Sequence, residues 1–259
     1  MKVRILGCGS SGGVPRLGSG WGACDPGNPR NRRSRCSLLL RDGARALLID
    51  TSPDMREQLL AAEVTRLDAV LYTHVHADQA HGIDDLRGLA LVNRARVPVH
   101  AHPEDLAELV ERFPYCFRQI RDYPPILDAN ELTRESDIAG FAVRPARVRH
   151  GVIDATGYRV GGLGYLPDVS DIPDDAAAAF EGLDVLILDA LRYRRHPSHL
   201  NVAEALDWIA RLEPRRAVLT NLHVDLDYET LRRTLPDGVE PAYDGMEITI
   251  AADRPVAPR

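Results

Sequence analysis

Short apolar runs recur along the chain, each closed by a polar residue, a histidine or a glycine. Val3–Leu6, Asp68–Tyr72, Leu183–Leu188 and Ala217–Thr220 are too short for amphipathic helices and read as buried strands. Val97–Ala101 reads as a strand, and Phe141–Val148 as a weakly alternating one that ends at His150-Gly151. Three pairs of runs around turn residues predict hairpins. These are Cys36–Leu40 with Arg45–Ile49, Thr156–Val160 with Leu163–Leu166, and Glu240–Tyr243 with Met246–Ile250 around Asp244-Gly245. Helical spacing marks Met55–Ala62, Ile83–Asn93, Pro103–Phe113, Asp171–Phe180, Asn201–Leu212 and Tyr228–Leu235. Asn201 with Glu204 three positions later forms a variant capping box. Tyr115–Asp128, interrupted by Pro124-Pro125, predicts a long loop that either covers a substrate or simply packs.

Length and composition narrow this picture. The 259 residues suffice for one large α/β domain or two small ones, and 44% hydrophobic content supplies a core. No apolar run approaches the roughly 20 residues of a membrane span. The strand at Lys2–Leu6 leaves no room for a signal peptide. Cys8, Cys24, Cys36 and Cys116 show no C-x-x-C spacing, which argues against a disulfide framework and a cysteine zinc site. A cytoplasmic location is the expectation. A net charge of −6 disfavours a whole-molecule grip on nucleic acid. The oligomeric state stays open, a homodimer included.

The chemistry concentrates in Leu71–Gly82, where His74, His76, Asp78 and His81 follow directly on a buried strand. Histidines two apart reach one metal only from extended or looped backbone, since a helix turns them to opposite sides. Imidazole and carboxylate together are the donors of Zn²⁺, Mn²⁺ or Fe²⁺ sites; the alternative is a solvated polar turn. His150, Asp168, Asp189, His199 and His223 also stand just past apolar strands, and ligands delivered by several strand ends converge on one edge of a sheet or sandwich. Asp50, at a strand end, is either a helix-entry residue or a carboxylate that orients a ligand histidine. The glycine-rich Gly7–Pro15 lacks a phosphate-loop signature and reads as a tight loop near the site, with phosphate contact a second option. The basic Arg30–Arg35 is equally a solvated loop or a holder of an anionic substrate.

The sequence resembles the metallo-β-lactamase superfamily of hydrolases, in the branch of cyclic ribose-phosphate phosphodiesterases, with ribonuclease Z more distant. The matching segments are Gly7–Pro15, Leu48–Asp54, Thr73–Arg87, Arg149–Gly151, Tyr165–Ser170, Arg192–Ala205, Leu219–Tyr228 and Asp244–Met246. The resemblance implies an α/β fold, a four-layer αββα sandwich with the site along one edge, in a single domain over 1–252 with a loose tail at 253–259. It assigns His74, His76 and His150 to a first metal, Asp168 as a bridge and Asp78 to a second. The family's His-x-His-x-Asp-His loop has Gln79 in its last position, and Asn221 stands where a histidine is expected after Thr220. Both departures fall on the second metal, where Gln79 and Asn221 offer amide oxygens or His81 and His223 swing in. A one-metal enzyme, a weakened second site and an inactive relative all follow from these departures.

The expected reaction is attack of metal-activated hydroxide on a small phosphodiester, cyclic or nucleotide-like, with one or two ions of Zn or Mn, or Fe, and no organic cofactor. Asp168 and Asp78, also assigned to the metals, are catalytic candidates together with His199, the candidate general acid or substrate ligand. Arg32, Arg33, Arg35 and Arg192 are candidate phosphate holders. The rivals are a hydrolase of lactones or thioesters and a nucleotide-binding relative that has lost catalysis.

Overall fold

The computed structural model describes residues 1–250; the tail expected at 253–259 lies outside them. Two seven-stranded sheets make the two inner layers. The first contains β1 (Lys2–Gly7), β2 (Ser37–Asp42), β3 (Arg45–Ile49), β4 (Ala69–Leu71), β5 (Val97–Ala101) and β6 (Leu127–Glu131) in that order, with β14 (Glu247–Thr249) outside β1. The second runs from β7 (Ser136–Ile138) through β8 (Phe141–His150), β9 (Ile153–Val160), β10 (Leu163–Leu166), β11 (Val185–Asp189) and β12 (Arg216–Thr220) to β13 (Val239–Pro241).

The apolar runs are continuous because the central strands are buried on both faces. In β2, Leu38 and Leu40 point between the sheets while Leu39 points to the outer helices; in β3, Leu47 and Ile49 point inward and Leu48 outward. In β11, Val185 and Ile187 join the inter-sheet core, and Leu186 and Leu188 face the helices on the other side. Three apolar layers therefore separate four structural ones. The outer layer of the first sheet holds α1 (Met55–Ala61), α2 (Ala77–Ala80), α3 (Leu86–Asn93), α4 (Pro103–Arg112) and α5 (Pro114–Phe117). That of the second holds α6 (Asp174–Ala177), α7 (Val202–Leu212) and α8 (Tyr228–Thr234). This is the αββα sandwich. No helix among the described residues is long and apolar enough to cross a membrane.

Local expectations hold at most elements, and the capping box on α7 is present in both directions, Asn201 to Glu204 and back. Three differ. The expected final hairpin does not form: β13 pairs in parallel with β12, whereas β14 pairs with β1. Asp244-Gly245 is a crossover between sheets, pinned by the Asp244 carboxylate, which accepts from the Ser34 amide and hydroxyl and the Cys8 amide. The loop expected over Tyr115–Asp128 contains α5 and leads into the edge strand β6. The helix expected over Asp171–Phe180 shrinks to α6 and one 3-10 turn.

Candidate metal centre

β4 ends at Leu71, and a non-helical stretch over Thr73–Val75 leads into α2, whose N-cap His76 is extended with φ −62° and ψ 154°. This non-helical backbone lets two histidines two apart face one point, as their spacing requires. His150 arrives from the end of β8 in the other sheet. The Nδ1 of His76 lies 3.0 Å from His74 Nε2 and 3.2 Å from His150 Nε2. Nitrogens bound to one tetrahedral zinc at about 2.0–2.1 Å sit about 3.3 Å apart, so the three rings fit a single ion.

The far nitrogens of His150 and His74 are anchored so that the near ones keep lone pairs. His150 Nδ1 donates to the Ser198 carbonyl at 2.7 Å. His74 Nδ1 lies 3.0 Å from the Thr73 hydroxyl, which donates to Asp50 Oδ2 at 2.9 Å. Asp50 also accepts the Thr73 amide at 2.8 Å, from a left-handed position (φ 65°) that Asp tolerates better than most residues. Burial and the neighbouring imidazoles hold His74 well below the usual histidine range. Burial and the charge of His199 bring His150 down to about 4, against the pull of the Ser198 carbonyl. Neutral imidazole is the ligating form.

Beside this triad lies a second cluster of His150, Asp168 and His199. His199 Nδ1 donates to Asp189 Oδ2 at 2.8 Å and lies 3.7 Å from Asp168. Burial lowers the His199 pKa, but the charge and hydrogen bond of Asp189, with Asp168 and Asp78 behind it, raise it to about 9. Asp189 is fully buried at the end of β11 and also accepts the Val169 amide. The sequence places it among the converging strand-end residues but gives it no specific part, and the structure makes it the partner of His199. The signal available was an apolar strand ending in Asp ten residues before His199.

Several sequence-predicted positions fall elsewhere. His81 is exposed and packs edge-on against Phe113, and His223 meets Arg16 and Asp225, so neither joins the cluster. Gln79 and Asn221 do reach it, but with nitrogens turned inward: both donate to Asp168. Asp78 sits in the first turn of α2, outside both clusters of three. Arg33 is buried and bonded to Asn31 and the His223 carbonyl. Arg32 lies over the Trp21 ring and Arg35 pairs with Asp54. All three line a cavity of about 460 Å³ that none of the histidines reaches. Arg192 is spent on the carbonyls of Arg194 and Arg195. The cleft that contains His76, about 450 Å³, is instead lined by Arg112, Arg147 and Arg149 with Glu108, Asp105 and Asp154.

A histidine triad at the edge of an αββα sandwich, with buried carboxylates beside it, defines the class of metal-dependent hydrolases. The chain belongs to the metallo-β-lactamase superfamily, since the family model "Beta-lactamase superfamily domain" matches residues 45–221. Its fold is similar to that of a crystallised diphosphatase of the PhnP family, with a TM-score of 0.89 and 33% identity over 96% of this chain and 98% of that one. It is 35% identical over 258 residues to a protein named octanoyltransferase from Porphyromonas gingivalis; the match takes in 96% of the chain but about half, 52%, of that relative. It is also 26% identical to coenzyme PQQ synthesis protein B of Methylococcus capsulatus, over 96% of this chain and all of that protein.

Proposed function

We propose that the protein hydrolyses a small phosphodiester, nucleotide-like or cyclic, at a metal centre held by His74, His76 and His150. The observation that carries this reading is the convergence of His74 Nε2 and His150 Nε2 to within 3.2 Å of His76 Nδ1, beside the Asp189–His199 pair. The likeness to a diphosphatase along nearly the whole chain supports phosphoryl chemistry over other ester classes. A divalent ion at such a site polarises a phosphoryl oxygen and brings water near a pKa of ~7. The three-imidazole donor set suits zinc.

The chain's own residues do the rest. Asp189 holds His199 by Nδ1, which fixes the ring and leaves Nε2 to deliver a proton to the departing oxygen. In the metal-free chain the charge and hydrogen bond of Asp189 raise His199 to about 9, which favours the protonated ring there. Asp168, buried between His199, Gln79 and Asn221, keeps the imidazolium in place by its charge. Arg149, with 60% of its side chain exposed in the cleft beside His76, is the arginine placed to leave Asp154 for a phosphate oxygen.

Elemental analysis of gently purified protein, followed by a panel assayed with the metal found, tests this. The panel holds bis(p-nitrophenyl) phosphate, a 2′,3′-cyclic nucleotide, a nucleoside diphosphate ester, a lactone and a thioester. Turnover of a phosphodiester is expected; hydrolysis of the lactone or thioester alone would overturn it.

A further inference from the structure

Resting on that reading of the edge as a metal centre, we propose that the protein holds one metal ion per chain. In this proposal the side-chain amides of Gln79 and Asn221 replace a second ion around Asp168.

The deciding feature is which end of each amide faces inward. Gln79 Nε2 donates to Asp168 Oδ2 at 2.7 Å, and Asn221 Nδ2 donates to Oδ1 at 3.3 Å. Asn221 Nδ2 also donates to Asp189 Oδ1 at 3.1 Å and lies 3.1 Å from His199 Nδ1. Turning Asn221 over would press its oxygen against two buried carboxylates, so those acceptors fix nitrogen as the inward atom. Turning Gln79 over would set two oxygens 2.7 Å apart.

Gln79 cannot withdraw easily either. Its backbone is clamped by Thr51, whose amide donates to the Gln79 carbonyl at 2.8 Å, and its own amide donates to the His76 carbonyl at 3.0 Å. A cation approaching Asp168 from this side meets N–H hydrogens where an ion requires lone pairs. Gln79 Oε1 is buried without a partner, but one neutral oxygen, diverging from the nitrogen that Asp168 holds, does not replace two imidazoles.

The contrast with the first position is one of donor chemistry. At the triad, three lone pairs converge with no N–H donor between at least two of them, because His74 and His150 are anchored through Nδ1. Around Asp168 the two amides already take one carboxylate oxygen each, with His199 Nδ1 3.7 Å away. His81 and His223 face other partners and restore nothing.

The test is metal stoichiometry by mass spectrometry of the wild-type chain and the Gln79→His/Asn221→His variant, each loaded with Zn²⁺ and desalted. One ion in the wild type and two in the variant are expected. Two ions in the wild type would overturn the proposal. One in both would show that the amides are not what excludes the second ion. None in the wild type would overturn the metal-centre reading itself. A measurement on the unaltered chain guards against a variant that fails to fold. Loaded with Co²⁺, the wild type should give the electron paramagnetic resonance spectrum of isolated ions, and a spin-coupled pair would refute the single-ion site.

Discussion

Asp50 touches none of the three histidines, yet the structure makes it the origin of a chain that orients one of them. Its carboxylate accepts a hydrogen bond from the Thr73 hydroxyl, so Thr73 Oγ1 is free to accept from His74 Nδ1, and His74 Nε2 faces the triad with a lone pair. Burial pushes the Asp50 carboxyl up, and the two hydrogen bonds from Thr73 pull it back. A dication bound through His74 favours the carboxylate and completes the chain. In Asp50→Asn the amide oxygen still receives the Thr73 N–H, and Asn keeps the left-handed backbone at little cost. Its NH₂, however, must donate to Thr73 Oγ1, which turns the Thr73 proton toward His74 and favours the tautomer with Nε2 protonated. The loss is one charge-assisted hydrogen bond's preference, about 1.5–3 kcal/mol. That range matches the roughly 10–100-fold loss of affinity typical when an outer partner of a metal-bound histidine is altered. Competition with a chromophoric chelator measures it. Thr73→Val cuts the same chain, so it should weaken binding similarly, and the double variant should be no worse than the weaker single one. Unchanged affinity in Asp50→Asn, or simple additivity in the double variant, would refute the relay.

Two further predictions follow from the same geometry. His76 is exposed, so His76→Ala should abolish metal binding and turnover while shifting the unfolding free energy of the metal-free chain by no more than about 0.5 kcal/mol; retained turnover would remove His76 from the centre. In the metal-free chain His199 has a pKa of about 9, above its unfolded value. Its stabilisation is therefore complete below pH ~6.5, the unfolded histidine value, and is lost as pH rises through the folded one, by up to about 3 kcal/mol. Urea denaturation across that window should show the fall in the wild type and not in His199→Gln; parallel curves would contradict the ion pair with Asp189.

Much of the fold was legible because central strands buried on two faces leave unbroken apolar runs, as in Leu38–Leu40 and Leu186–Leu188. The strands β6 and β7 left no such trace: Leu127–Glu131 and Ser136–Ile138 lie at sheet edges and carry polar residues. The terminal turn at Asp244-Gly245 looked like a hairpin because turn chemistry is local. Its flanking strands join different sheets because β1 and β12 each offer an edge to pair with, one in each sheet. Arg33 read as one more cation in a basic loop, and only packing reveals it as buried.

By itself the sequence determined where the chemistry-bearing residues stand along the chain: at the ends of apolar strands, His74 and His76 after one, His150 after another, Asp168 and Asp189 after two more. Spacing within a strand or loop is covalent, so it can be read without a structure. Tertiary structure alone decided which of those ends share an edge, and which atom each one turns inward. His81 and His223 lie two residues from the altered ligand positions yet point away, whereas Gln79 and Asn221 present nitrogen to Asp168. That choice belongs to the buried carboxylates that face them from β11 and the loop after β10, neighbours brought together only by sheet pairing.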